Sequence, residues 1–381
     1  MSTTLRVAVI GCGAIAANHI AAYRGCDGVE VIACSDVDAA RAEAFAKAHG
    51  IPQGFGDTEE LFAQRPDLVS ICTPHPTHAA LVIRAAELGI NVLCEKPLAV
   101  DPGIAETMVS ACREAGVAFG AIYQRRWWPA AQRIRAALDE GALGAPMLGR
   151  VQVLLHRDPS YYSATPWRGT WAADGGGVLM TQAIHYLDLL QWYLGDVETV
   201  YAQADTYVHG EHIEVEDTLT ATLRFTSGAI ASFSASTGLS RGLGESIEIT
   251  GTSGATVGLL EYPEGTEART HVWTVEGQEN LDPLTELAPE PDLASINGAL
   301  TPFHTLQVQD MVAALREGRQ PAVTGEDALR SLRTLGAIYA SMRSGRAERV
   351  DTAAAMGAAA AGPTPADTTT SGMNGKDAAS T

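Results

Sequence analysis

The stretch Val7-Ala8-Val9-Ile10-Gly11-Cys12-Gly13-Ala14-Ile15-Ala16 decides the fold of this 381-residue chain. It begins as a continuous apolar run, which is typical of a strand buried on both faces of a parallel sheet. It then turns through two glycines into a helical pattern. Gly11 permits the tight turn, Gly13 lets the backbone approach a pyrophosphate, and the small Ala16 allows close packing of helix on strand. The sequence therefore predicts a dinucleotide site at this turn.

The residues around the turn extend this prediction to one cofactor. Ala14 and Ile15 open the helix whose N-terminus would face the phosphates. Asp36 follows about 20 residues later, where a carboxylate accepts hydrogen bonds from the adenine ribose and repels a 2′-phosphate. We therefore predict NAD in preference to NADP. Two alternatives stay open, because Arg41 could bind a 2′-phosphate and Asp36 could serve as a helix N-cap.

Short apolar runs alternate with helical patterns through the first 125 residues. This order builds a parallel sheet with right-handed crossovers, and we predict an NAD-binding Rossmann domain over residues 1–125. The runs are Leu5–Ile10, Val29–Cys34, Leu68–Thr73, Val92–Glu95 and Val117–Tyr123. The helical patterns are Ala14–Tyr23, Ala39–His49, Thr58–Ala63, Ala79–Leu88 and Ile104–Ala115.

The pattern changes to period-two alternation in the second part of the chain. Such alternation predicts a mostly antiparallel sheet with one buried face, and we place an α+β domain for substrate binding and oligomerisation at residues 126–350. The fold class is thus α/β, a doubly wound parallel sheet followed by an open, mostly antiparallel one. The elements are helices Pro129–Glu140 and Val178–Leu194, strands such as Leu219–Phe225 and Ala229–Ser236, and late helices Thr305–Glu317 and Asp327–Ser344, which could pack back on the first domain.

Composition excludes several classes of function. The net charge of −19 argues against nucleic acid and anionic membranes as partners. No run of 18 apolar residues predicts a membrane span, and the first residues lack a signal pattern. Six cysteines without a Cys-x-x-Cys pair predict buried, reduced thiols and a cytoplasmic protein without a metal site. Residues 353–381 are too rich in Ala, Gly, Thr and Ser to bury apolar surface, and we predict a disordered tail.

Glu95-Lys96-Pro97 ends an apolar run at the edge of the predicted sheet where nicotinamide chemistry would occur. A lysine there can hold a substrate hydroxyl and stabilise developing alkoxide charge. Burial beside the nicotinamide could also lower its pKa toward proton transfer. Glu95 is either the partner of Lys96 or a charge at the sheet edge. We predict that both residues line the cofactor site and that Lys96 also binds substrate.

A proline-rich loop, Thr73-Pro74-His75-Pro76-Thr77-His78, follows another strand of the same sheet. The prolines end the strand and stiffen the loop beside the expected cofactor. We predict that Thr73, Pro74, His75 and His78 line the nicotinamide ribose, although His78 could be an ordinary residue in the first turn of a helix.

A second cluster of polar residues lies in the second domain. Trp167-Arg168-Gly169-Thr170-Trp171 precedes Asp174 and three glycines, and the following helix carries Thr181 and His185. Positions four apart share a helix face, and glycines before the helix let its start approach another segment. Histidine titrates near neutrality, so His185 is a candidate general base. Asp188, one turn later, would hold the helix or His185 in place.

These motifs together resemble the Gfo/Idh/MocA oxidoreductase family, over about residues 5–350. The resemblance implies a Rossmann domain followed by an α/β domain with an open sheet. It also implies NAD(P)-dependent hydride transfer at a ring hydroxyl or ketone of a sugar, sugar nucleotide or cyclitol, with Lys96 and His185 catalytic. Many members carry Asp where this chain has Thr181, which cannot hold a negative charge. We therefore expect a Lys96–His185 pair, with Thr181 contacting substrate.

The Trp-Arg-Gly-Thr-Trp stretch is most similar to members that act on UDP-amino sugars or their uronates. Arg125, Arg126 and Arg168 could then meet a carboxylate or phosphates, or they could form internal salt bridges. Two other functions stay open: a cofactor-binding sensor without catalysis, and a lyase or hydrolase that uses transient oxidation. The open sheet and the family resemblance predict a homodimer or homotetramer joined through the second domain.

Overall fold

A six-stranded parallel sheet organises the first part of the chain in the computed structural model, which describes residues 4–165, 167–278 and 292–351. Its strand order is β3-β2-β1-β4-β5-β6, the doubly wound Rossmann order that leaves a crevice between β1 and β4. The predicted parallel sheet is confirmed, with the addition of β3, whose short Gln-Gly-Phe sequence has no apolar run. The strands are β1 (Leu5–Ile10), β2 (Val29–Ser35), β3 (Gln53–Phe55), β4 (Leu68–Ile71), β5 (Asn91–Cys94) and β6 (Phe119–Ala121).

Five helices connect these strands. Three of them begin at an aspartate whose carboxylate accepts backbone N–H groups of the first turn, namely Asp38, Asp57 and Asp101. Asp38, and not Asp36, is therefore the N-cap of α2, which leaves Asp36 for another role. The helices are α1 (Ala16–Arg24), α2 (Ala39–Ala48), α3 (Thr58–Ala63), α4 (His78–Glu87) and α5 (Pro102–Ala115).

An eight-stranded sheet forms the second part, in the order β13-β12-β11-β7-β10-β9-β8-β14. Its pairs are antiparallel except β7 with β10, as predicted for a mostly antiparallel sheet. The strands are β7 (Pro146–Leu154), β8 (Val197–Asp205), β9 (Thr218–Phe225), β10 (Ile230–Ser236), β11 (Gly244–Gly251), β12 (Thr256–Glu261), β13 (Arg269–Trp273) and β14 (Glu348–Arg349).

Helices of the second part cover one face of this sheet. Strand β9 shows the resulting alternation, with Leu219, Leu223 and Phe225 buried beneath the helices and Thr220 and Arg224 exposed on the other face. The helices of the second part are α6 (Pro129–Asp139), α7 (Pro159–Ser163), α8 (Ile184–Leu194), α9 (Leu293–Glu317) and α10 (Gly325–Ser344). Those that pack on the sheet are α6, α8 and α10.

Helix α9 is longer than the sequence predicted. The sequence analysis placed its start at Thr305, whereas the helix begins at Leu293 and contains Pro302, which lacks a backbone N–H. Packing against α1 accounts for the difference, since Asn18 donates to the carbonyl of Asn297 at 2.9 Å, ahead of the proline. The second part of the chain therefore returns to the Rossmann sheet through α9.

Three further expectations concern the cysteines, membrane spans and the C-terminal tail. Cysteines 12, 34, 72, 94 and 112 are buried free thiols, while Cys26 is half-buried. No helix among the described residues has the length and apolarity to cross a membrane. The predicted disordered tail, residues 353–381, lies outside the described residues.

Candidate active site

The glycine turn between β1 and α1 gives its two glycines different tasks. Gly11 has φ of +93°, and a Cβ there would lie 2.8 Å from the carbonyl carbon and oxygen of Cys72. It must be glycine because the end of β4 passes so close. A Cβ on Gly13 would meet nothing within 4 Å, and Gly13 and Ala14 are both exposed. The turn thus presents backbone to an open crevice at the start of α1, which fits a dinucleotide pyrophosphate.

Asp36 lies beside this turn at the end of β2. One carboxylate oxygen accepts the backbone N–H of Cys12 at 3.0 Å, and the other accepts that of Asp38 at 3.0 Å. Arg41, which is largely exposed, reaches the same carboxylate at 3.4 Å. Asp36 therefore ties the turn to β2 and stands where the ribose of a bound nucleotide would lie.

The loop after β4 is built around two histidines with different surroundings. His78 is fully buried, with Nδ1 3.0 Å from the carbonyl oxygen of Pro97 and Nε2 2.8 Å from that of Thr73. It locks two loops together and does not reach the crevice, which corrects its predicted place in the cofactor site. His75 reaches the other domain, with Nδ1 3.3 Å from the carbonyl oxygen of Asp174, and burial lowers its pKa to about 3.

Thr73 and Pro74 lie where this loop meets the glycine turn. The Thr73 methyl would be 2.9 Å from a Cβ on Gly11, so the two segments are in close contact. Pro74 precedes a 3-10 turn, His75–Thr77, that leads into α4. Both residues therefore lie beside the glycine turn, and their contact with the nicotinamide ribose stays a prediction.

Lys96 makes the central contact between the two domains. Its Nζ donates to the main-chain carbonyl of Thr181 at 2.8 Å. Burial lowers the pKa of Lys96, while the neighbouring Glu95 carboxylate opposes that change. The contact brings the end of β5 against the segment that leads into α8, beside the crevice that the glycine turn faces.

The segment before α8 is a π-helical turn, Leu179–Ala183. Such turns are rare and often occur at functional sites, because they disturb the regular i to i−4 bonding. Thr181 lies in this turn, and its hydroxyl donates back to the carbonyl of Gly177 at 2.8 Å. Its backbone carbonyl, and not its side chain, is what meets Lys96, which sequence reasoning did not anticipate.

His185 follows in the first turn of α8, buried against the ring of Tyr123 at 5.8 Å between centroids. Its Nδ1 has no hydrogen-bond partner among the described residues. Burial holds the pKa of His185 well below its usual range, and the cations Lys96 and Arg125 add to this effect. The imidazole is therefore neutral at pH 7 and can accept a proton.

The glycines before the π-helical turn are fixed by a carboxylate that the sequence analysis missed. Glu216 is buried and accepts the N–H groups of Gly177 at 2.9 Å and Leu179 at 3.0 Å, together with the Tyr339 hydroxyl at 3.1 Å. Burial raises the pKa of Glu216 to about 7. A Cβ on Gly177 would collide with the Glu216 carbonyl, so glycine is required for this approach.

Two of the three predicted arginines are neutralised inside the protein. Arg125 is buried with its Nη2 at 3.1 Å from Glu245 and 2.8 Å from Glu261. Arg126 forms two hydrogen bonds with Asp188, at 2.7 and 2.6 Å. Asp188 therefore secures α8 through Arg126 rather than by holding His185. Protein carboxylates match the charge of Arg125, but its Nε and Nη1 have no hydrogen-bond partner among the described residues, so its substrate contact stays a prediction.

Arg168 differs from these two. Its guanidinium stacks on Tyr161 at 4.1 Å and donates to the Tyr161 carbonyl at 2.8 Å. Within the described ranges, no carboxylate lies at ion-pair distance from it. Nearby, a cavity of about 580 Å³ is lined by Tyr161 and by Arg157, which Glu264 pairs at 2.7 and 2.5 Å. Arg168 is therefore the predicted arginine that no protein carboxylate pairs among the described residues, and it stacks on a residue that lines this cavity.

Glu95 points away from the crevice into a buried cluster. Its carboxylate lies 3.1 Å from His19 Nε2 and 3.5 Å from His304 Nε2. The predicted cofactor contact of Glu95 is thus replaced by contacts behind Lys96. His19 and His304 were missed because lone histidines in apolar helices carry no sequence signal that distinguishes them from core residues.

Comparisons with known proteins agree with this geometry. Residues 5–123 match the family model described as an oxidoreductase family with an NAD-binding Rossmann fold, and residues 131–257 match the GFO/IDH/MocA C-terminal domain. D-apiose dehydrogenase of Paraburkholderia graminis is 33% identical, over 89% of this chain and 88% of its own length. 1,5-Anhydro-D-fructose reductase of Ensifer adhaerens is 31% identical, over 91% of this chain and 99% of its own length.

A solved structure of a dehydrogenase is similar to this chain over nearly its whole length. The WlbA dehydrogenase from Bordetella pertussis, crystallised with NADH and UDP-GlcNAcA, superposes with a TM-score of 0.80 at 32% identity. The superposition covers 92% of this chain and 99% of that chain.

Proposed function

Because the chain belongs to the Gfo/Idh/MocA family of NAD-binding oxidoreductases, we propose that Lys96 and His185 carry its hydride-transfer reaction at a ring hydroxyl of a sugar-type substrate. The observation that carries this proposal is the bond from Lys96 Nζ to the Thr181 carbonyl at 2.8 Å. It joins the carboxyl edge of the parallel sheet to the helix of His185, next to the glycine turn. Ligands of doubly wound sheets bind at this edge.

The residues of the crevice fit NAD. The exposed backbone of Gly13 and Ala14 would hold the pyrophosphate, and Asp36 would accept the adenine ribose hydroxyls. One oxygen of Asp36 would still accept the Cys12 N–H. The other oxygen, which accepts the Asp38 N–H, would accept the ribose hydroxyls instead. Bound NAD supplies the carbon that accepts hydride from the substrate.

Lys96 has the geometry to hold the reacting oxygen. Its ammonium donates to one carbonyl, which leaves two N–H groups for a substrate hydroxyl. As that hydroxyl loses its proton, negative charge grows on the oxygen, and a fixed cation in a water-poor cleft stabilises it. The contact with Thr181 fixes the position of the cation in advance.

His185 is the group proposed to accept the hydroxyl proton. Its lowered pKa keeps the imidazole neutral at neutral pH, so that one ring nitrogen has a lone pair that can accept a proton. The positive charge of Lys96 opposes a lasting imidazolium, so the proton leaves His185 before the next turnover. In the reverse direction, the same pair would protonate the oxygen of a ring ketone.

An uncharged sugar is the substrate class that the charges favour. Arg125, Arg126 and Arg157 are each matched by protein carboxylates, and the chain carries a net charge of −19. A diphosphate would need several free cations in this field. A relative that is named a D-apiose dehydrogenase, an enzyme of a free sugar, supports the same class.

A sugar nucleotide is the second candidate, and one observation favours it. Arg168 keeps its charge beside a cavity of about 580 Å³, large enough for more than a single sugar ring. The WlbA structure was solved with UDP-GlcNAcA. A single arginine could meet one carboxylate of such a substrate.

One experiment tests the proposal. One sample of the purified protein is denatured to identify any bound nucleotide. A second, native sample is given NAD, and NADH formation is followed with D-apiose, 1,5-anhydro-D-glucitol, myo-inositol and UDP-GlcNAcA, at matched concentrations. We expect turnover with an uncharged compound, and its loss in Lys96→Ala with NADH binding kept. NADH binding without turnover on this panel would contradict the proposal and favour a sensor.

We further propose that the protein assembles as a homodimer or homotetramer through the outer face of the second sheet. Leu148 and Ile230 are adjacent on that face and are 44% and 46% exposed, near the half-exposed Tyr201. Light scattering at micromolar concentration should give a multiple of 40.0 kDa, and Ile230→Arg should lower that mass. A monomeric wild type would contradict this.

Free thiols would suit a reducing cytoplasm as the compartment of the protein.

A further inference from the structure

Three buried side chains behind Lys96 belong to elements far apart in the sequence. His19 lies on α1, Glu95 follows β5 and His304 lies on α9, with exposures of 0%, 7% and 1%. His19 Nε2 and His304 Nε2 face the same carboxylate oxygen of Glu95, at 3.1 and 3.5 Å. The other oxygen of Glu95 accepts the backbone N–H of Lys96 at 3.2 Å.

The hydrogen-bond partners of the two rings determine where their protons lie. His304 Nδ1 is 3.0 Å from the Leu300 carbonyl, which can only accept, so this nitrogen carries a proton. Its Nε2 faces a carboxylate, which also only accepts when ionised. A neutral His304 would therefore direct a lone pair at Glu95, so these contacts favour a proton on both nitrogens of His304.

His19 can satisfy its contacts as a neutral ring. The Tyr23 hydroxyl can donate to Ser70 Oγ at 2.7 Å, and Ser70 can donate to His19 Nδ1 at 3.0 Å. His19 Nε2 then donates to Glu95. Burial lowers the pKa of His19, in agreement with a neutral ring. The cluster thus carries one positive charge, on His304, opposite one negative charge on Glu95.

We propose that His304 is a positioning residue for Lys96, since its imidazolium holds the ionised Glu95 carboxylate beneath the lysine. Glu95 in turn fixes the Lys96 backbone and supplies the nearest opposite charge to its ammonium. This inference rests on the proposed catalytic role of Lys96. It means that α9, from the far end of the chain, completes the site.

The charges around the cluster support this role. Facing Glu95 are His19 from α1, His304 from α9, and Lys96, which is covalently next to it; His185 on α8 lies near His304. The thiols of Cys72 and Cys94 are nearby, and burial keeps them protonated by raising the pKa of each. Together the two histidines hold the pKa of Glu95 well below its usual range, against its burial.

A divalent cation is the competing occupant of this cluster. The three ligand atoms lie within 4.8 Å of one another. The distances favour protons, because both nitrogens lie at or near hydrogen-bond range of one oxygen. The described residues place no fourth His, Cys, Asp or Glu in the group, whereas a structural zinc site uses four ligands.

The test compares His304→Leu, His304→Gln and the matched control Thr305→Ala, which lies next on α9 and bonds only its own helix through Oγ1. Leucine removes both donors, and glutamine can return a neutral donor to Glu95. We expect His304→Leu to lower kcat about tenfold or more with KM and NADH affinity nearly kept, and to move the acid limb of kcat up by about one pH unit. The direction follows because Glu95 without its cation protonates at higher pH.

Rescue separates positioning from simple loss of fold. We expect His304→Gln to recover most of kcat but only part of the acid-limb shift, and Thr305→Ala to match the wild type in both. A wild-type pH profile in His304→Leu would overturn the inference. So would a kcat loss that vanishes once rates are divided by the number of NADH-binding sites.

Two measurements on the wild type keep the inference separate from the proposed function. Elemental analysis that finds one metal per chain, lost with activity on chelation, would overturn the proton assignment. Nitrogen NMR of labelled histidine should show both His304 nitrogens protonated at pH 7 whether or not a substrate is known. If Lys96→Ala is fully active while His304 is doubly protonated, the proposed function fails and the charge assignment stands.

Discussion

The cofactor side and the reaction side of the cleft are held together by different interactions. The cofactor side consists of backbone: Gly13 and Ala14 are exposed, and Asp36 accepts one N–H group of the glycine turn and one of its own loop. The reaction side consists of buried charge, with Lys96 and His185 surrounded by ion pairs such as Arg125 with Glu261. A backbone site depends on local turns, whereas a buried charged site depends on every neighbour that fixes its protonation. Substitution of distant residues should therefore affect the cofactor side less than the reaction side.

The largest effects are expected on the reaction side. Lys96→Ala and His185→Ala should each lower kcat by about two orders of magnitude or more, because each removes a group that handles charge on the reacting oxygen. NADH affinity, measured by fluorescence titration, should stay nearly unchanged, since neither residue holds the phosphates. A variant that turns over at the wild-type rate would remove that residue from the mechanism.

Stability should depend on pH through Glu216, which supports the reaction side. Its pKa is raised to about 7 by burial, so the folded protein binds a proton that the unfolded chain releases near its ordinary pKa. This contribution to stability is present at pH 5 and is lost as pH rises through 7, by about 2 kcal/mol.

The matched variant is Glu216→Gln, which keeps the shape and cannot ionise. Urea unfolding of both proteins from pH 5 to 8 should give a difference that changes with pH in the stated direction. Parallel curves for wild type and variant would show that Glu216 does not titrate in this range.

A smaller effect is expected on the cofactor side. Asp36→Ser removes the carboxylate that repels a 2′-phosphate, while Arg41 remains nearby. We expect the preference for NAD over NADP to narrow by about tenfold, roughly 1.4 kcal/mol. Titration of both reduced cofactors measures it, with Asp38→Ser as the matched control, which removes a neighbouring carboxylate and keeps an N-cap on α2. A wild type that prefers NADP would contradict our interpretation of Asp36.

The smallest effect should come from Thr181→Ala. The side-chain hydroxyl bonds only within its own segment, to Gly177 and Gln182, while the carbonyl that holds Lys96 remains. We expect kcat to change by less than about threefold, because at most one neutral hydrogen bond is lost. A loss as large as that of Lys96→Ala would show that the hydroxyl itself contacts the substrate.

The cofactor side could be predicted from the sequence because its determinants are local. Gly11, Gly13 and Asp36 act through turn geometry and strand ends, which short stretches specify. Even so, the sequence assigned the N-cap ambiguously, and the structure gives that role to Asp38. The sequence also placed the start of α9 too late, at Thr305, because the contacts with α1 that hold its first turns come from a distant part of the chain.

The reaction side could be predicted only in part. Lys96 and His185 stood out because each follows a recognisable motif. Their neighbours did not, because Glu216, Glu261 and His304 lie far away in the chain, in segments that read as ordinary strands and helices. Only the fold decides that Arg125 meets two carboxylates.

Helix α9 also determines which segments must be transferred together when the cofactor domain is exchanged between related enzymes. The segment Leu293–Glu317 packs on α1 and delivers His304 to Glu95 and Gln307 to the backbone of Tyr123. A chimera that takes only residues 1–125 would leave Glu95 facing a gap and expose the apolar side of α1. Recombination at the apparent domain boundary would thus break the donor's cofactor domain. A graft that includes this late helix would transfer it whole, although the two pieces are not contiguous in the gene.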